Sequence, residues 1–264
     1  MKRTAFTYLL VFLFMGGLFL SCNSKTTETK TPEEPATPTT ETSLNQLTAA
    51  EAAEGWQLLF NGENLDGWRN FNKETIGTNW IIEDGAIHLN ADAKGTDAWV
   101  DGEGGDILYD GEFENYEFRL EWKIGPCGNS GIIYNAQEGE TYDHPWRTGM
   151  EMQILDDPCH PDGKLPSHRA GSLYDLIECS ETTVKPPGEW NKIRIVLNNG
   201  ELEHWQNGVK VVSTTLWTPE WEAMLAGSKF KDFPGYGTFK KGKISLQDHT
   251  DPVWFRNIKV KKLG

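Results

Sequence analysis

Phe118-Arg119-Leu120-Glu121-Trp122-Lys123-Ile124 alternates apolar and charged residues without a break. Period-two alternation fits a strand with one buried face, and it would scatter apolar groups around the axis of a helix. It places Phe118, Leu120, Trp122 and Ile124 in a core, with Glu117, Arg119, Glu121 and Lys123 outside. The same reading predicts strands over Trp56–Phe60, Trp80–Glu83, Ala86–Leu89, Asp106–Leu108, Ser130–Asn135 and Glu151–Leu155. It continues through Lys192–Leu197, Glu201–Gln206, Val209–Val212, Lys243–Gln247 and Val253–Val260. Asn199-Gly200 and Asn207-Gly208 are two-residue hairpin signals, and Asp84-Gly85 is a third. One clear helix is predicted over Pro219–Ala226, between a Thr218 cap and Gly227, with a short one near Thr48–Glu54. So many short strands joined by tight turns define an all-β chain. Two sheets stacked by their apolar faces give a jelly-roll sandwich with one or two short helices.

The N-terminus sets a compartment. Lys2 and Arg3 precede an apolar run ending at Leu20-Ser21-Cys22, which reads as a secretory signal over residues 1–21. Cys22 then stands where a bacterial lipoprotein takes its lipid. A Thr/Pro/Glu-rich stretch to about residue 46 has too little apolar surface to fold and reads as a tether. Residues 47–264 form a single domain. The expected location is the cell envelope, lipid-anchored and facing the periplasm or the outside. Net charge is −14, and loss of Lys2 and Arg3 takes it to −16. That excludes nucleic acid and anionic head groups as natural partners and suits a neutral ligand such as carbohydrate. Cys127, Cys159 and Cys179 remain after lipidation and are read as buried thiols, with Cys159–Cys179 the pairing considered for a disulfide.

Gly149-Met150-Glu151-Met152-Gln153-Ile154-Leu155-Asp156 is the most telling strand. Met150, Met152 and Ile154 share one face, while Glu151 and Gln153 share the other, and Asp156 follows at its end. An amide and a carboxylate on an open sheet face make a polar binding floor. Ser245, Gln247 and His249 alternate in the same way. Gly128-Asn129-Ser130-Gly131 allows close backbone approach and offers Asn129 to a hydroxylated ligand. Trp146, Tyr134 and Tyr142 are candidates for stacking on a sugar. His160 and His168, with Asp162 and Cys159, form a loop cluster that could take a metal, although the spacing matches no recognised signature. His88, His144 and His204 belong to no constellation.

The ordered set Trp56-Gln57-Leu58-Leu59-Phe60-Asn61-Gly62 through Gly67-Trp68, Gly128-Asn129-Ser130-Gly131, Glu151-Met152-Gln153-Ile154-Leu155-Asp156, Gly188-Glu189-Trp190-Asn191, His204-Trp205-Gln206-Asn207-Gly208, Leu246-Gln247-Asp248-His249 and Phe255-Arg256-Asn257-Ile258 resembles the 3-keto-disaccharide hydrolase family. The resemblance runs from about Trp56 to Val260. It implies a concanavalin A-like jelly roll acting on 3-keto-glycosides, with motif positions at Glu151, Gln153, Asp156, Gln247, His249 and Arg256. A ketone at C3 acidifies the C2 proton, so β-elimination of the C1 group followed by hydration gives net hydrolysis. That route needs a base, an acid and an oxyanion stabiliser. Glu151 and His249 are the candidate base and acid, in either order. Lys123 is the candidate for the oxyanion, and Asp156 for orienting His249 or a metal, or for serving only as a strand-end cap. Asn129, Tyr134, Trp146, Gln153, Gln247 and Arg256 would hold the substrate. No cofactor is required, although a divalent cation could serve in place of Lys123. The partners expected are the oxidised glycoside, the membrane through the lipid at Cys22, and a separate sugar 3-oxidoreductase that supplies the ketone. The rival expectations are a non-catalytic carbohydrate-binding lipoprotein and a conventional glycosidase.

Overall fold

The computed structural model describes residues 43–91 and 104–264. The predicted leader, Cys22 and nearly all of the tether lie outside the described residues. In chain order the elements are α1 (Ala49–Ala53), β1 (Trp56–Leu58), β2 (Trp68–Asn70), β3 (Trp80–Glu83), β4 (Ala86–Leu89), β5 (Ile107–Tyr109), β6 (Tyr116–Ile124), β7 (Asn129–Ala136), β8 (Met150–Leu155), β9 (Asn191–Asn198), β10 (Glu201–Gln206), β11 (Val209–Thr215), α2 (Pro219–Ala226), β12 (Lys243–Leu246) and β13 (Val253–Lys262). Each predicted strand is present. β2 was not anticipated, because three residues after Gly67 carry no readable period.

The strands form two antiparallel sheets. One runs β11-β10-β9-β6-β13-β4-β3, with β1 also on β13; the other runs β2-β5-β12-β7-β8. Phe118, Leu120, Trp122 and Ile124 of β6 join Ile132, Tyr134, Met150, Met152 and Ile154 of β7 and β8 in one buried cluster. Burial of each such side chain is worth about 1.5–3 kcal/mol, so the period-two pattern dictates how the sheets face each other. In the three hairpins, Asp84 and Gly85, Asn199 and Gly200, and Asn207 and Gly208 all have positive φ. This is the left-handed pair that a type I′ turn requires. The α2 cap is the predicted one: Trp221 N–H donates to Thr218 Oγ1 at 3.2 Å.

One boundary and one cysteine pairing differ from expectation. The folded part takes in Asn45, which is 5% exposed. Its amide donates to Gly85 O at 2.7 Å, and it exchanges backbone-to-side-chain bonds with Asn257 at 2.7 and 2.8 Å. The disulfide joins Cys127 to Cys159, with a Cα–Cα distance of 4.8 Å, and Cys179 is free. This corrects the Cys159–Cys179 expectation. Asn129 pairs with Leu155 across β7 and β8, so the chain entering β7 must lie beside the chain leaving β8.

β8 is an edge strand of the five-stranded sheet. The loop that follows it folds back and covers that edge. Gln153 N–H donates to Ser172 O at 3.1 Å, Gly171 N–H to Gln153 O at 2.9 Å, and Tyr174 N–H to Glu151 O at 3.0 Å. Satisfying an edge in this way removes a surface for unwanted strand pairing, and here it also carries Tyr174 to the strand bearing Glu151.

Candidate active site

Glu151 and Gln153 project from the face of the five-stranded sheet opposite the core, together with Asn129 of β7 and Gln247 just beyond β12. A cavity of about 350 Å³ opens over them. Its floor is Asn129, Glu151, Gln153, Gln247 and His249, and its other wall is Trp146, Tyr174, Lys229, Phe230, Phe233 and Tyr236. A polar floor facing aromatic rings matches the two surfaces of a sugar, whose hydroxyls point outward around an apolar ring face. Gly131 makes room for the central carboxyl: a Cβ there would lie 2.0 Å from Glu151 Oε1.

The floor is a connected chain. The Gln153 amide lies 3.0 Å from Glu151 Oε1 and 3.2 Å from both Ser130 O and the Asn129 side chain. Its nitrogen therefore points at Glu151 and Ser130 O, where it finds two acceptors. The Gln153 oxygen then faces the Asn129 side chain, whose amide nitrogen lies 3.5 Å from His249 Nε2. Asn129 is itself anchored, its N–H donating to Asp251 Oδ2 at 2.9 Å.

Electrostatics separate the two titratable groups. Burial pushes the Glu151 carboxyl up to about 8; the charge of Asp106 adds to this and Lys229 opposes it. Burial moves His249 the other way, below the usual imidazole value; Asp251 resists and His160 reinforces. At neutral pH the cavity thus holds a protonated carboxyl and a neutral imidazole. Two polar atoms, Tyr236 Oη and Gln247 Oε1, are buried without a hydrogen bond among the described residues. Buried groups left unmatched in this way favour a hydroxylated occupant.

The structure brings together six of the predicted residues, namely Asn129, Trp146, Glu151, Gln153, Gln247 and His249. The other four lie elsewhere. Lys123 sits on the outer face of the eight-stranded sheet, its ammonium 4.3 Å from the Trp254 ring and 5.2 Å from that of Trp190. Arg256 is on that same face, bonded to Glu121 at 2.8 Å and stacked 3.9 Å over Trp190. Both expectations are corrected: for Lys123 alternation identified a polar face, but of the other sheet, and the motif position at Arg256 lies on that sheet too. Tyr134 points into the core, donating to His204 Nε2 at 2.8 Å, while the other ring nitrogen of His204 donates to Gly171 O at 3.1 Å. Asp156 accepts the Cys127 N–H at 2.7 Å and so closes the turn before β7.

The loop histidines are likewise placed by structural bonds. His168 has one ring nitrogen 2.7 Å from Asp175 and the other 3.5 Å from Asp162. Cys127, Asp156 and Cys159 converge within 4.8 Å, but the disulfide leaves no thiolate to bind a cation.

Tyr174, Lys229, Phe230, Phe233 and Tyr236 were not anticipated. Lys229 is the cation of the cavity, lying 4.1 Å over the Tyr174 ring and 3.6 Å from Asp175. Phe230 and Tyr236 stack at 3.7 Å. The signal available was the spacing of Phe230, Phe233 and Tyr236, three residues apart, which is the period of a tight 3-10 turn.

Fold and site together define a β-sandwich with a sugar-sized cleft containing an acid–base pair. Residues 55–261 match the 3-keto-alpha-glucoside-1,2-lyase-like domain family, and the chain belongs to that family. A relative from Bacteroides thetaiotaomicron, named 3-keto-disaccharide hydrolase, is 38% identical over 232 residues, covering 80% of this chain and 79% of that protein. Among solved structures, a candidate glycosyl hydrolase from Parabacteroides distasonis is 35% identical with a TM-score of 0.74, covering 84% of this chain and 100% of that one. A second from the same organism is 28% identical with a TM-score of 0.58, covering 79% and 99%.

Proposed function

We propose that this protein cleaves 3-keto-glycosides, and 3-keto-disaccharides in particular, by elimination and hydration. The observation that carries the reading is the pairing, in one cavity, of a carboxyl held protonated and an imidazole held neutral. Environments that push two titratable groups apart assign acid and base. His249 removes the C2 proton, and the electron pair moves onto the C3 oxygen as an enolate. The Lys229 ammonium and the Tyr236 hydroxyl stand on the loop wall to receive that charge. The enolate re-forms the ketone, the C1–O bond breaks, and Glu151 gives its proton to the departing oxygen. Water then adds at C1, returning a proton to Glu151, while His249 returns one to C2. The net reaction is hydrolysis. The family of the chain and the name of its Bacteroides relative support this choice over a conventional glycosidase.

The ketone must be installed beforehand, so the reaction that supplies this substrate is the oxidation of a sugar at C3 by a separate oxidoreductase. The test is incubation of purified protein with 3-keto-trehalose in D₂O. The expected product is 3-keto-glucose carrying deuterium at C2, seen by NMR. Cleavage without label, cleavage of unoxidised trehalose, or sugar binding with no turnover would each overturn the reading. An arm with chelator addresses the cation. Turnover lost and then restored by a divalent metal would assign the oxyanion to that metal instead of Lys229 and Tyr236.

A further inference from the structure

A second cavity, of about 540 Å³, lies beside the first. Phe233 lines both. The guanidinium of Arg147 stacks 4.7 Å over Trp146 and 4.6 Å over Phe233. Trp146, Arg147 and Phe233 therefore form a common ridge, with the acid–base floor on one side and the second cavity on the other. Each cavity falls within the range of ligand clefts, roughly 300–1,000 Å³. Neither the family motifs nor the chemistry above uses the second.

We propose that this second cavity is the leaving-group subsite, and that it takes a neutral or cationic sugar while rejecting an acidic one. The inference rests on the proposed function, in which the first cavity holds the oxidised ring. The departing sugar must then extend past the ridge. The lining carries Glu140, Asp143, Arg147 and Asp232. Arg147 is already neutralised, donating to both oxygens of Asp143 at 2.7 and 3.0 Å. That pairing holds the Asp143 carboxyl down at about 2, so it stays ionised at any working pH. Glu140 and Asp232 make no ion pair among the described residues, and the cavity is left with two uncompensated negative charges. A uronic acid or a sulfated or phosphorylated sugar would meet them without a counter-charge. Tyr142 offers a ring for stacking and a hydroxyl with no hydrogen bond among the described residues. Its backbone is fixed by the Asn72 amide, which donates to Tyr142 O at 2.6 Å.

Kinetics on paired substrates test this. Methyl 3-keto-glucoside needs only the first cavity; 3-keto-trehalose needs both. Tyr142→Ala is expected to lower kcat/KM at least tenfold on 3-keto-trehalose and less than twofold on the methyl glycoside. Asp232→Lys, at an exposed position, is expected to raise kcat/KM several-fold on a substrate with a glucuronate leaving group, relative to one with glucose. Equal losses on both substrates, together with an unchanged glucuronate-to-glucose ratio, would overturn the subsite. Calorimetry with unoxidised trehalose and glucose decides it without turnover and so separates its failure from that of the proposed reaction. Tighter binding of trehalose, lost in Tyr142→Ala while glucose binding persists, supports the subsite. Equal affinity for the two sugars, or no measurable trehalose binding, overturns it.

Discussion

A carboxyl that keeps its proton up to about pH 8 weakens the fold as pH rises. In the unfolded chain Glu151 titrates near 4.5. Between those values the unfolded state has released a proton that the folded state retains. Stability is therefore full in acid, falls through that window, and levels off above the folded value. Glu151→Gln removes the dependence. We expect its melting temperature to match wild type at pH 4 and to exceed it at pH 9, by a stabilisation on the order of a few kcal/mol. Turnover should fall roughly 10²–10⁴-fold. A thermal-shift series across pH checks the first expectation; an equal difference at both ends would contradict it. Gln153 tunes the same group. Its amide favours the carboxylate form of Glu151, so Gln153→Met should move the alkaline limb of the pH–rate profile upward and leave the acid limb, set by His249, in place. Glu151, Gln153, Gln247 and His249 were legible in the sequence because each keeps a fixed phase on or beside a strand. Lys123 keeps an equally clean phase and still lies elsewhere, since alternation tells a strand which face is wet but not which sheet it will join.

Long strands, tight turns and the capped helix α2 were readable; the short β2 and the irregular loops were not. β6 can be recognised alone because its nine residues repeat one pattern. The run Lys229–Asp232 is four residues of 3-10 helix, too short to read alone, and the three-residue spacing that continues to Phe233 and Tyr236 acquires meaning only where those rings line the cavity. The loop between β8 and β9 has the same character: its internal bonds are short turns, such as His168 N–H to Leu165 O at 2.9 Å, and its bonds to β8 set where it lies. The Cys127–Cys159 disulfide ties the start of that loop to the turn that presents Asn129. It closes a loop with a sequence separation of 32, worth about 3–4 kcal/mol by chain-entropy reasoning. The paired Cys127→Ala and Cys159→Ala variant, or wild type under reductant, should therefore melt roughly 5–15 °C lower. Its KM should rise more than its kcat falls, because Asn129 holds substrate while the proton carriers stay on rigid strands. An unchanged melting temperature with the bond verified by mass spectrometry in wild type would count against that role.

Over the whole molecule, the division of labour follows the two sheets. The eight-stranded sheet spends its outer face on ion pairs and cation–π contacts, as in Arg119 over Trp56 and Arg194 over Trp205. The five-stranded sheet spends its outer face on the cavity. The chain's net charge of −14 offers an anionic membrane surface no attraction, and no helix among the described residues is long and apolar enough to cross a membrane. Retention at a membrane would then depend on the covalent lipid expected at Cys22. Cys22→Ser should therefore move the protein wholly from the membrane fraction to the soluble one, with kcat/KM on a soluble 3-keto-glycoside unchanged. Fractionation in high salt separates the two causes. Charge-held protein would wash off, whereas lipid-held protein stays until detergent is added. Wild-type protein that washes off in salt, or Cys22→Ser protein that stays with the membrane, would show that something other than the lipid anchors it.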